Sequence, residues 1–174
     1  TFEKMQTQIL VNDSFQKGYS YTLTAPMGAD FDPIFKPELS PAEMLELGVF
    51  GGRYLSDCQA EFPSSWFAAA KLYQGSNPRG DSKLNFFQVY ASQSLSVWRA
   101  KGWIHPQDPR GWFQWYCRYF MGRRSADDER QIKRWVAMKR HQTQVRNGCS
   151  FGDLKCRQKQ RQALLHWAYD SINL

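Results

Sequence analysis

The segment from Trp98 to Phe120 combines arginine, glutamine and aromatic side chains in a pattern that suits nucleic acid. It contains four of the seven tryptophans. Arg110, Gln114 and Arg118 are spaced by four residues, so they share one face of a helix that we predict to begin at Pro109. Arg and Gln make paired hydrogen bonds to base edges, and rings stack on unpaired bases. The pattern predicts one open polar face; the alternative is that the rings are core and the arginines pair with acids.

Basic residues after this segment predict phosphate contacts. Arg123 and Arg124 precede a predicted helix, whose free N–H groups also attract anions. That helix places more cations on one broad stripe: Arg130, Lys133, Arg134 and Arg140. Against this, the acidic run 127–129 could neutralise the arginine pair. A second basic cluster, at positions 155, 157, 159 and 161, is more typical of a solvated helix face.

Candidate catalytic groups are few. His105 and Asp108 lie three residues apart and could form an acid–base pair. The alternative is that Asp108 caps the aromatic helix, in which case Asp108→Asn is expected to be tolerated because Asn caps equally well. Asp57 and Glu61 are expected to be a solvated pair. GxSxG, P-loop and HExxH motifs are absent from the sequence, so it does not define a reaction.

The four cysteines form no CxxC pair and are expected to be reduced thiols, which favours an intracellular protein, cytoplasmic or nuclear: Cys58, Cys117, Cys149 and Cys156. A disulfide is the alternative for Cys149 and Cys156. Those two cysteines with His141 and His166 are a weak zinc pattern, because the spacing lacks a close-set ligand pair. We therefore predict neither a metal nor another cofactor.

The charge is concentrated in the second half of the chain. Residues 1–87 carry 7 Lys and Arg against 10 Asp and Glu, whereas residues 88–174 carry 16 against 6. Arg outnumbers Lys by 11 to 5 there, and Arg is the better phosphate ligand. The first hypothesis is a nucleic-acid-binding domain, with DNA slightly favoured over RNA. The alternatives are an enzyme acting on a nucleobase or nucleotide, either glycosylase-like or hydrolase-like, and a protein–protein interaction module with an acidic partner.

Turn and cap residues divide the chain into elements. Two alternating apolar runs, 8–11 and 19–23, predict a small hairpin, and the prolines and glycine of 25–39 predict an irregular arm. The sequence Ser40-Pro41-Ala42-Glu43 has the pattern of a capping box. Further helices are predicted over 63–72, 92–101, 109–121 and 125–147, with a last one after Asp153.

Together these elements predict a mainly α fold: a single compact multi-helix domain with an irregular N-terminal arm and room for one small β-hairpin. Residues 1–39 would be the arm packed on the domain, and residues 40–174 a helical domain with a basic, aromatic-rich C-terminal half. No stretch approaches the roughly 20 apolar residues of a membrane span, so no membrane partner is predicted. A larger parent polypeptide or a protein partner is compatible with this interpretation.

Overall fold

A computed structural model describes residues 7–174. Within them, an antiparallel hairpin precedes five α-helices. The strands and helices are β1 (Thr7–Asn12), β2 (Lys17–Leu23), α1 (Pro41–Glu46), α2 (Leu95–Ala100), α3 (Trp112–Met121), α4 (Asp128–Gly148) and α5 (Gln158–His166). Short 3-10 turns cover Val49–Gly52, Gln59–Glu61, Ser64–Phe67, Ser82–Leu84 and Ser171–Asn173. Helices and a hairpin are confirmed, but most of the chain between α1 and α3 is irregular, so mainly α holds only in part. No described helix is long and apolar enough to cross a membrane.

The N-terminal hairpin and arm lie against α3. In the hairpin Thr7 pairs with Leu23 and Val11 with Tyr19, so the hairpin predicted from the two alternating runs is confirmed. The arm then follows the end of α3, where Thr24 N–H donates to the Gly122 carbonyl at 2.9 Å. A Cβ at Gly122 would lie 2.1 Å from the Ala25 carbonyl oxygen, so this close approach requires glycine.

Two predicted helix starts have different outcomes. The capping box at α1 is confirmed: Ser40 accepts from Glu43 N–H, and Glu43 accepts from Ser40 N–H. The predicted helix over 63–72 is wrong beyond one 3-10 turn at Ser64–Phe67. The backbone after that turn instead bonds to distant segments, since Lys71 N–H donates to Leu45 O at 3.1 Å. Tertiary hydrogen bonds therefore override the local helix propensity of the alanines.

The aromatic helix α3 begins at Trp112 rather than at Pro109. Gly111 is its N-cap with φ 106°, a conformation that suits glycine and turns the chain sharply before the helix. Asp108 therefore does not cap α3, which corrects the alternative role expected for it. The last helix also starts later than predicted, at Gln158. The long helix α4, by contrast, lies close to its predicted range.

The core is a cluster of aromatic rings organised around Phe35 of the arm. Phe35 is 1% exposed. Its ring centroid lies between 5.1 and 6.5 Å from five others, those of Trp112, Trp115, Tyr116, Tyr119 and Trp135. Most of these contacts are edge-to-face, an arrangement that aromatic pairs favour. Most α3 rings are therefore core, and they fix the arm to the helices.

Cys149 and Cys156 form a disulfide that joins the end of α4 to the segment before α5. The prediction that all four cysteines are thiols is wrong for this pair, and the zinc alternative fails with it because both sulfurs are bonded to each other. Cys58 and Cys117 are free and buried, and burial raises the pKa of both thiols. The expected intracellular location loses this part of its support.

Candidate functional site

A buried arginine cluster occupies the space between α3 and the hairpin; it consists of Arg118, Arg123, Asp108 and Glu61. Arg118 donates from Nε and Nη2 to Glu61, at 2.8 and 3.0 Å, and from Nη1 to Asp108 at 2.9 Å. Arg123 donates to both Asp108 oxygens, at 2.8 and 2.7 Å. Burial opposes the charge on Arg118, but the hydrogen bond and charge of Glu61 outweigh it and raise the pKa above its ordinary value. Glu61 is thus not the solvated residue expected.

The predicted polar face of α3 is closed to solvent, so the prediction of an open face is wrong. Arg118 and Gln114 are 0% exposed. Gln114 Oε1 accepts from Arg110 N–H at 3.0 Å, and Arg110 pairs with Asp57 at 2.6 Å. Arg124, in the following loop, donates to the carbonyls of Ala29 and Asp30 and so holds the arm. Arg118 and Gln114 are therefore closed to a ligand in this structure, whereas Arg110 lines a cavity and Arg124 is half-buried.

The predicted acid–base pair is not assembled. Both carboxylate oxygens of Asp108 accept from arginines, as described above. His105 Nδ1 accepts from Gln107 N–H at 3.1 Å. Among residues 7–174, no hydrogen bond joins the side chains of His105 and Asp108.

The cations of α4 separate into two sets. Arg130 pairs with Asp127 at 2.6 Å, and Lys133 pairs with Glu129 at 3.0 Å. Arg134 and Arg140 instead line a cleft. The four cations predicted to form one stripe on α4 therefore differ in their partners. Within the described residues, only Arg134 and Arg140 form no ion pair with a carboxylate.

The aromatic cleft encloses about 610 Å³ between α2, the start of α3, α4 and the end of α5. Seven rings line it: Phe50, Tyr54, Trp98, Trp103, Trp112, Phe113 and Trp167. The ring centroids of Trp112 and Trp167 lie 4.7 Å apart, and Trp103 is 40% exposed to solvent. A smaller cavity of about 360 Å³ shares Phe50, Tyr54 and Trp98 with it, so the aromatic wall continues beyond the cleft.

Five cations and no carboxylate line the aromatic cleft within residues 7–174; the cations are Arg79, Lys101, Arg134, Arg140 and Lys159. Arg134 lies 5.3 Å from the Trp167 ring centroid and donates to Trp103 O at 3.2 Å. Burial and then the charge of Arg130 lower the pKa of Arg134 from its ordinary value. A cation held without a counter-charge is stabilised when an anion binds to it. These five residues, called the rim cations below, are therefore suited to bind anionic groups.

His166 lies in the lining of the aromatic cleft, at the end of α5. It is 2% exposed and stacks on Phe50 with ring centroids 4.3 Å apart. Its Nδ1 accepts from Phe50 N–H at 3.2 Å, while Nε2 is buried and makes no hydrogen bond within the described chain. Burial lowers the pKa of His166 to about 3, so the ring is neutral at ordinary pH.

Sequence reasoning found Arg134 and Arg140 but missed other cleft residues. Arg79 lies in a part of the chain for which no site residue is predicted, and Lys159 belongs to the cluster expected on a solvated face. His166 was considered only as a zinc ligand. Tertiary contacts bring these three residues together in the cleft, and the spacing of residues along the chain does not indicate such contacts.

Comparison with known proteins finds no matching family, no matching curated protein and no matching solved structure. A function for this chain is therefore inferred from its residues and their geometry.

Proposed function

We propose that this chain binds single-stranded nucleic acid in the aromatic cleft, with bases on the rings and phosphates on the rim cations. The observation that carries the proposal is the coexistence of seven rings and five cations with no carboxylate in one described cavity. Base–ring stacking and backbone charge neutralisation are the two interactions that single-strand binders combine.

The shape of the site favours unpaired bases. The rings form the walls of a cavity, so a base reaches them only when its faces are not already stacked inside a duplex. The exposed cations of the rim lie around that entrance, where a backbone would follow the bases. DNA is slightly favoured over RNA as the ligand, and rings of this kind can stack on the bases of both.

The two other hypotheses have less support. An enzyme acting on a nucleobase would need an acid–base pair, and His105 and Asp108 do not meet. A protein partner with an acidic segment would also use the rim cations, but it would leave the stacking capacity of the rings largely unused. These alternatives are outcomes of the experiment below.

The test is fluorescence anisotropy over a salt series with labelled single-stranded DNA, RNA of the same sequence, duplex DNA and an acidic peptide. We expect single strands to bind more tightly than the duplex. Affinity should fall linearly in log salt, with a slope near −0.7 per phosphate contact for single strands. Tighter binding of the acidic peptide, or of the duplex, would contradict the proposal.

Matched variants locate the binding face. Arg140 lines the aromatic cleft, whereas its neighbour Lys139 is exposed outside it. Arg140→Ala should flatten the salt slope by about 0.7, and Lys139→Ala should leave it unchanged. The same comparison holds for Lys159, in the lining, and Lys155, outside it. Equal effects of the paired variants would place binding elsewhere or make it nonspecific.

A further inference from the structure

The smaller cavity adjoins the aromatic cleft and has part of its lining in common with it. Its volume is about 360 Å³. Six residues line both cavities: Phe50, Tyr54, Arg79, Ser92, Gln93 and Trp98. Of these, Arg79 and Gln93 are exposed, so part of the common lining lies at the surface of the protein. A flexible strand can therefore pass from one cavity to the other without entering the core.

The smaller cavity contains two arginines that no acid neutralises within residues 7–174. Three arginines and one carboxylate, that of Asp57, line this cavity. Asp57 is bonded to Arg110 Nη1 at 2.6 Å, so its charge is matched by an arginine that is only 5% exposed. Arg53 and Arg79 are exposed, and each donates a hydrogen bond to a backbone carbonyl oxygen, which carries no net charge. Both guanidinium groups are therefore available to phosphates.

The smaller cavity also has aromatic rings of its own. Phe15 and Tyr73 line it but do not line the aromatic cleft. Phe15 lies in the turn of the hairpin and is 37% exposed, and the Arg110 guanidinium carbon lies 4.1 Å from its ring centroid. The combination of rings with unpaired cations, which carries the proposed function in the cleft, is therefore present a second time next to it.

We propose that the bound strand continues from the aromatic cleft past Trp98 into the smaller cavity, which is a second subsite for single-stranded nucleic acid. This inference rests on the proposed function and adds the extent of the bound strand to it. In the second subsite Arg53 contacts a phosphate, and the exposed part of the Phe15 ring contacts a base. Arg79 contacts the strand where it crosses, because it lines both cavities.

The test measures the affinity of the wild-type protein for labelled oligo-dT of increasing length, from about 4 to about 16 nucleotides, the range of site sizes found in single-strand binders. The shortest oligonucleotide should occupy the aromatic cleft, which has five cations and no described carboxylate. The longest should bind more tightly and with a steeper salt slope, since its added phosphates reach the second subsite. Length alone also increases the number of ways to bind, so variants are needed to locate the added contacts.

Arg53→Ala removes a cation that lines only the smaller cavity. It should weaken the binding of the longest oligonucleotide about tenfold, the effect of about one hydrogen bond to a charged group, and leave the shortest unchanged. Arg79→Ala should weaken the binding of both lengths. Arg146→Ala is the matched control, because Arg146 is exposed on α4 outside both linings, and it should leave both affinities unchanged.

The outcomes separate this inference from the proposed function. An unchanged affinity of Arg53→Ala for the longest oligonucleotide would overturn the inference while the proposed function stands. Equal weakening of both lengths by Arg53→Ala would also overturn it, since Arg53 would then not act through a second subsite. Failure of the wild-type protein to bind any length would overturn both.

A measurement on the wild-type protein covers the case in which Arg53→Ala does not fold. A photoreactive thymidine analogue is placed at one end or at the other of the longest oligonucleotide, and the cross-linked peptides are identified by mass spectrometry. One of the two probes should cross-link to the peptide that contains Phe15 or Tyr73, which line only the smaller cavity. Cross-links of both probes to residues of the aromatic cleft alone would overturn the second subsite.

Discussion

The buried arginine cluster and the aromatic cleft both contain arginines, but those of the cluster are paired with acids and, within the described part of the chain, those of the cleft are not. In the cluster, Arg118 and Arg123 meet Asp108 and Glu61 at hydrogen-bonding distance. In the cleft, Arg134 and four other cations share the lining with seven rings and with no described carboxylate. The comparison teaches that a count of cations says little about binding; the placement of the few acids decides which cations remain available.

The largest expected effect comes from breaking the buried cluster. Asp108 is 1% exposed and accepts from two arginines. Asp108→Asn removes the negative charge and leaves both guanidinium groups underpaired, so the free energy of unfolding should fall by about 3–5 kcal/mol. Urea denaturation followed by circular dichroism measures this. Glu129→Gln, at an exposed pair, is the control and should stay within about 0.5 kcal/mol. A fully stable Asp108→Asn protein would show that the two arginines do not depend on the charge of Asp108.

The next largest effect on stability should come from breaking the Cys149–Cys156 disulfide near the aromatic cleft. The disulfide closes a short loop, because Cys149 and Cys156 have a sequence separation of 7. Reduction should lower the free energy of unfolding by about 2–3 kcal/mol through the loop entropy of the unfolded chain. Thermal melts with and without reductant measure it, and a Cys149→Ser, Cys156→Ser protein should not respond to reductant. Melting curves that coincide would contradict a stabilising role for this bond.

The pH dependence of stability tests the burial of His166, which lines the aromatic cleft. His166 has a pKa near 3 when folded, whereas the ordinary value is 6.5. Below pH 6.5 the unfolded chain therefore takes up a proton that the folded chain does not, and stability falls with decreasing pH. Between pH 6.5 and 5 the loss should be about 2 kcal/mol. His166→Gln should lack this component in urea titrations at both pH values. An identical pH dependence in both proteins would show that His166 is accessible to protons when folded.

The variant with the smallest expected effect on stability places an acid among the cations of the aromatic cleft. Ala137 lies in the cleft lining, three residues from both Arg134 and Arg140 on α4. Ala137→Glu should pair with them and change stability by only about 0.3–0.5 kcal/mol. Its affinity for single strands should nevertheless fall about tenfold, as the added acid cancels phosphate contacts. Val136→Glu, with the same charge outside the lining, is the control. Equal losses of affinity in both variants would indicate a diffuse charge effect.

Local signals predicted much of the secondary structure. The alternating runs gave β1 and β2, and the Ser40–Glu43 pattern gave the cap of α1, because both depend on neighbours within a few residues. The late start of α3 was missed since the role of Asp108 depends on Arg118 and Arg123. Those partners lie on the far side of the Gly111 turn, so local capping chemistry could not reveal them.

The site was less predictable for the same reason. Arg134 and Arg140 were found from their spacing, yet Arg130 and Lys133 have the same spacing and are paired. Arg110, Gln114 and Arg118 looked like a binding face because their burial depends on Glu61 and Asp57, more than fifty residues earlier. Sequence spacing shows which residues share a helix face, but it does not show what covers that face.

The position of Phe35 has a consequence for the order of folding. Its ring partners lie in α3 and α4, far along the chain, so the arm can dock only after those helices have come together. Closing such a long loop is entropically costly and slows folding. Because three tryptophans surround Phe35, their fluorescence should report the last docking step, which would follow the gain of helical circular dichroism during refolding.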